Sequence, residues 1–141
     1  RAICLGLDHL RSSVILAEPY TGGGDDMDSG PILGLSPAVP LELMGYNLDD
    51  LLACRDARPE KRPKGGFGDT LEEVAKHNLQ RLKENGDWTV LPRAVVDFAN
   101  GRFGRDDLGK LFYRSASDWL PVETVIYEAD SRELLFRPAG R

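Results

Sequence analysis

The residues best suited to chemistry lie in Asp26-Met27-Asp28-Ser29-Gly30-Pro31-Ile32-Leu33. A carboxylate followed closely by Gly-Pro sits on a backbone with few choices, because proline fixes its own φ and restricts the residue before it. Held at a loop-to-strand junction, Asp28 can act as a general base or position a water beside a reacting amine. Asp25, Asp26 and Asp28 lie close together, and neighbouring carboxylates hold their protons more tightly than one alone, which suits proton transfer. The same residues can also be read as a solvated acidic turn or a weak cation site.

The remaining candidates are plainer. His9 and His77 are the two histidines, far apart in sequence and without partner cysteines, so neither suggests a metal site. His77 flanks an apolar helix stripe, where a surface or half-buried histidine is the ordinary reading and a substrate-facing one the sharper. Ser12-Ser13 has no glycine elbow and reads as strand entry. Cys4 and Cys54 read as reduced thiols of a cytoplasmic protein. The basic run Arg55, Arg58, Lys61, Arg62 and Lys64 is either a solvated loop or a flap that touches phosphate or RNA.

The elements that would position these residues follow from pattern. Ala2 to His9 reads as the last turns of a helix. Ser13-Val14-Ile15-Leu16-Ala17 is β-branched and apolar, as in a strand buried on both faces. Ile32-Leu33 with Leu35 predicts a second strand ended by Pro37 and Pro40, paired with the first as a hairpin across the loop Thr21–Asp26. Residues 42–68 read as an exposed insertion or flap, with a short helix over Leu48–Ala53. Asp69-Thr70-Leu71-Glu72 is a capping box that opens a helix with the stripe Leu71, Val74, Ala75, Leu79, Leu82. Asn85-Gly86 should stop it. A second helix should begin near Asp87 or Thr89, carry Pro92 in its first turn, bury Leu91, Val95, Phe98 and Ala99, and stop at Asn100-Gly101. Three strand-like pieces follow, around Leu111–Tyr113, Val122–Tyr127 and Leu134–Phe136.

A length of 141 residues suits one domain or most of one, and 41% hydrophobic with 29% charged residues is ordinary for a globular chain. The net charge of −5 argues against bulk nucleic-acid or membrane-surface binding. No apolar run is long enough to span a bilayer. The first residue is Arg1, without an initiator methionine, and the expectation is a piece of something longer.

In order, these motifs resemble the folate-dependent formyltransferases. There, as in glycinamide ribonucleotide and methionyl-tRNA formyltransferases, a loop ends in Asp-x-Gly-Pro-Ile and enters a strand. Asp69-Thr70-Leu71 resembles the start of that family's C-terminal helical region. Pro92 to Gly101-Arg102-Phe103 is similar to its proline-started helix with a Gly-Arg step. The similarity covers about Ala2 to Phe103, interrupted by 42–68.

The resemblance implies an α/β chain holding the later strands and C-terminal helices of a Rossmann-like domain. Residues 1–103 would be the C-terminal half of that domain, and 104–141 a short β-rich tail. Asp28 would be catalytic, assisting proton transfer while an amine attacks the formyl carbon of 10-formyltetrahydrofolate. The loop holding Gly24, Asp25, Asp26 and Met27 would contact the folate. Asp87, which reads equally well as a helix N-cap, and His77 would face a small-molecule amine substrate. The family's Asn-x-His-Pro-Ser segment and glycine-rich phosphate loop do not occur in the sequence, and Ile15 stands where the family often has histidine. An N-terminal half or another chain would have to supply them, so the fragment is expected to be inactive alone. A homodimer and a non-catalytic binding module with the same fold stay open.

Overall fold

The computed structural model describes residues 1–18 and 30–136. The architecture is mixed α/β. After a single 3₁₀ turn (Ile3–Leu5), Gly6 takes a left-handed φ of 66° and ends it. The expected N-terminal helix is therefore one turn only, because the chain leaves it as strand β1 (His9–Leu10), which pairs antiparallel with β4 (Val39–Pro40).

The main sheet has the order β2-β3-β8-β9. Strands β2 (Ser13–Ile15) and β3 (Ile32–Leu35) are antiparallel, with Ser13 opposite Leu35 and Val14 opposite Gly34, as the hairpin reading expects. Strand β2 differs from expectation in being half-buried at Val14 and Ile15 and exposed at Ser13. It lies at the edge of the sheet, so it does not have the two covered faces that its composition suggested.

Strand β3 pairs in parallel with β8 (Thr124–Tyr127), and β8 pairs antiparallel with β9 (Arg132–Leu135). Parallel neighbours need a long crossover, and the helices and a second sheet supply it here. Every residue of β8 is buried. The segment expected as a β-rich tail thus contributes a central strand to the same sheet as the hairpin. Strands β5 (Phe103–Arg105), β6 (Leu111–Ser115) and β7 (Asp118–Pro121) form an antiparallel meander beside it.

Helix α1 (Leu48–Asp56) is capped by Asn47, whose side chain accepts from the Asp50 N–H at 2.8 Å. Its Leu51 is 1% exposed and packs with Ile3, Leu71 and Val74. The reading of 42–68 as an exposed flap is corrected by that burial, which withdraws a leucine from water for about 2 kcal/mol. The signal was hidden because α1 contributes one fully buried side chain amid charged neighbours.

Helix α2 (Thr70–Leu82) begins at the expected capping box, with Asp69 accepting from Glu72 N–H at 2.8 Å. Glu72 reaches back one residue further than the simple box, to Gly68 N–H at 2.7 Å. Asn85-Gly86 does not stop the helix. Lys83–Asp87 form a π-helical turn that carries the chain directly into α3 (Trp88–Ala99). Gly86 fits there closely: a β-carbon would lie 2.6 Å from Ser12 Oγ and 3.0 Å from Leu82 Cδ1, so those side chains would have to shift. Asp87 consequently has helical dihedrals and no side-chain cap bond, so the N-cap reading fails.

The stop at Asn100-Gly101 is as expected. Gly101 has φ 64°, its N–H donates to Phe98 C=O, and Arg102 N–H donates to Asp97 C=O. The buried face of α3 is Val90, Ala94 and Asp97. Leu91, Val95 and Phe98, expected inside, are about half exposed and Ala99 is exposed, as are Ala75 and Leu79 of the expected stripe on α2. Val90 and Ala94 join Leu33, Val125 and Tyr127 in the main core.

Candidate functional site

Asp28 and the loop residues Gly24, Asp25, Asp26 and Met27 lie outside the described residues, and the structure shows only the strand ends that bracket them. Those ends are closely constrained. Leu16 N–H donates to Pro31 C=O at 3.0 Å, extending the β2–β3 ladder toward the loop. A β-carbon at Gly30 would fall 1.7 Å from the Leu16 carbonyl oxygen. No other residue type fits without moving the backbone, so the glycine of the Gly-Pro step is explained by the opposing strand. Glu18 pairs with Arg105 at 2.7 Å, tying the departing end of β2 to β5 in the neighbouring sheet. Beneath the hairpin, Val14, Leu16 and Leu33 form an apolar hollow with Ala94, Val95 and Phe98 of α3.

The two substrate-side candidates are both on the continuous helical run. His77 Nε2 lies 2.7 Å from Glu42 Oε2, and Arg81 holds the other Glu42 oxygen at 3.0 Å. The His77 bond pulls the Glu42 carboxyl below its usual range, outweighing the opposing effect of burial, and the Arg81 charge adds to the lowering. Asp87 is exposed in the π turn. Ten residues at the helical rise separate the two by roughly 15 Å, so they do not converge on one small acceptor.

The most elaborate polar cluster was not foreseen. Asp97 is 1% exposed and accepts from Tyr113 Oη at 2.9 Å, Tyr127 Oη at 2.8 Å and Arg132 at 2.7 and 2.9 Å. Burial pushes its carboxyl up, but Arg132 and the two phenols outweigh burial and the net shift is downward. Burial and the Asp97 bond push the Tyr127 phenol far up. Gly34 makes room for this ring, since a β-carbon there would be 2.7 Å from Tyr127 Cε2. Every carboxylate oxygen is satisfied and the residue is sealed, so the cluster welds α3 to β6, β8 and β9 and presents no reactive face. Nothing in the sequence marked Asp97, because its three hydrogen-bond partners come from strands 16 to 35 residues away, and the nearer Arg102 lies at 3.6 Å.

A third feature is an open cavity of about 540 Å³ among the 3₁₀ turn, α1 and the start of α2. Arg1, Arg55, Arg58 and Arg62 line it, with Ile3, Leu5, Phe67, Leu71 and Ala75 as its apolar part. The basic run in the sequence was its only signal. Among the described residues, no cluster of His, Cys, Asp and Glu could hold a metal ion, and no helix is long and apolar enough to cross a membrane.

Fold and hairpin together define a mixed α/β protein with a glycine-locked loop junction. No family model matches the chain, and neither the curated proteins nor the solved structures compared with it give a match.

Proposed function

We propose that this chain is part of an enzyme that transfers a formyl group from 10-formyltetrahydrofolate to an amine, with Asp28 as the proton-transfer residue. The observation that carries the reading is the hairpin. Strands β2 and β3 pair antiparallel, and the Leu16 carbonyl packed on Gly30 leaves no room there for a side chain. General-base catalysis needs a carboxylate held in place, and the Gly30 end of β3 would be the base from which Asp28 works. The folate would supply the activated formyl carbon. An Asn and a His to polarise its oxygen are required from another segment or chain.

Asp28→Asn should lower transfer by roughly 10²- to 10⁴-fold in the complete enzyme while melting is unchanged. Turnover like the parent's would remove Asp28 from the chemistry. Calorimetric titration with a reduced folate is the wider test. Binding by a version extended upstream, and none by this chain alone, is the expected result. No binding by either would favour the second reading, a non-catalytic interaction module. One observation supports that alternative: Trp88, Leu91, Val95 and Phe98 are each more than half exposed along α3.

A further inference from the structure

The cavity lined by arginines lies apart from the hairpin and shares no lining residue with it. Its base is apolar: Ile3 and Leu71 are buried, Phe67 is half-buried, and the exposed Leu5 and Ala75 complete the apolar part. Its rim is cationic, although the whole chain carries a net charge of −5. Arg55, Arg58 and Arg62 come from one stretch of chain and are held in place by their own partners. Arg58 places Nε and Nη2 on Asp69, both at 2.7 Å, and its guanidinium lies 4.1 Å from the Phe67 ring centre. Arg62 Nη2 donates to Glu72 at 2.9 Å, and Arg55 binds Asp56 at 2.7–2.8 Å.

These contacts do not exhaust the donors. A guanidinium has five N–H groups, and these contacts use only one or two nitrogens of each. Three carboxylates, Asp56, Asp69 and Glu72, face the four arginines, and Glu72 is shared with Lys76 at 3.9 Å. The rim therefore keeps a positive balance, while Asp69 and Glu72 tie Arg58 and Arg62 to the start of α2. A cavity of this volume is of small-molecule size. Its apolar base and forked donors ask for two things in one ligand: an apolar body and a carboxylate or phosphate head.

We propose that this cavity binds a small organic anion, its apolar part against Ile3, Phe67 and Leu71 and its anionic head on Arg55 and Arg62. A simple inorganic anion would leave the apolar base wet. Extended RNA would require a long basic track, against which the net charge of −5 argues.

The test is calorimetry with dodecanoate and with phenyl phosphate, set against inorganic phosphate and dodecanol as head-only and tail-only controls. At least one amphiphilic anion should bind at one site, and each control should bind at least about tenfold more weakly. Arg62→Gln, at an exposed rim position, should weaken binding about fivefold to tenfold. Ala75→Phe should block the site by filling it without changing charge. Far-UV circular dichroism and melting of both variants verify folding. Four results would overturn the proposal: neither anion binding at millimolar concentration; binding undiminished in both folded variants; inorganic phosphate binding as well as the amphiphiles; or salt-dependent RNA binding lost in Arg62→Gln with no small-anion binding.

Discussion

Two aspartates on the long helical run each meet a forked arginine, and their surroundings separate them. Asp97 sits in the main core with Arg132 and two phenols closed around it. Asp69 sits at the start of α2, with Arg58 on one side and water on the other, its side chain 23% exposed. The same pair of groups thus does two jobs. At Asp97 it joins a helix to strands from distant parts of the chain, and loss of one partner would strand a charge without water. At Asp69 it caps a helix and fixes one wall of an open cavity, where water can replace what is lost. Burial decides how much each pair is worth.

Replacing Asp97 should have the largest effect. Asp97→Asn removes the charge opposite Arg132 and presents an amide donor to two hydroxyl donors. The expected cost is about 3–5 kcal/mol, or roughly 10 °C in melting temperature. The folded carboxyl lies below its unfolded value, so its stabilisation is complete above the unfolded pKa near 4 and is lost as pH falls through the lower folded pKa. The variant's stability should therefore vary less between pH 5 and pH 2 than the parent's. A parent-like acid limb with parent-like melting would show the two aspartates to be equivalent.

Leu51→Ala asks whether the arginine side of the molecule has a core of its own. Leu51 is sealed among Ile3, Leu71 and Val74, so a loss of about 2–4 kcal/mol in urea unfolding is expected. A loss under about 0.5 kcal/mol, the range of ordinary surface substitutions, would return residues 42–68 to the exposed flap that their composition suggests. Asp69→Ala should be the mildest, about 1 kcal/mol, because it removes an N-cap and a half-solvated pair. A cost matching that of Asp97→Asn would mean that the cavity wall is as integral as the main core.

Much of the local structure was legible. The β2–β3 hairpin, the Asp69 cap and the Asn100-Gly101 stop were written in short motifs whose physics is local: β-branched runs, a carboxylate over helix N–H groups, and a glycine at positive φ. The failures share a cause. Gly86 looked like a stop because glycine disfavours helix, yet the close approach of Ser12 and Leu82 uses its missing side chain while the backbone passes through in a π turn. The face of α3 was misjudged because Leu91, Val95 and Phe98 are the larger apolar residues. The sheet instead received Val90, Ala94 and an aspartate whose charge is neutralised chiefly by the distant Arg132.

By itself the sequence determined the Asp69 cap of α2, the Asn100-Gly101 stop and the strand character of Ser13–Ile15 and Ile32–Leu35, since each depends on residues within a few positions of one another. Tertiary structure alone decided that β8 lies beside β3, that Asp97 is a core residue, and that a basic run from one stretch of chain lines a cavity floored by Ile3 and Leu71. Those outcomes depend on which distant surfaces exclude water together, and no local pattern encodes that.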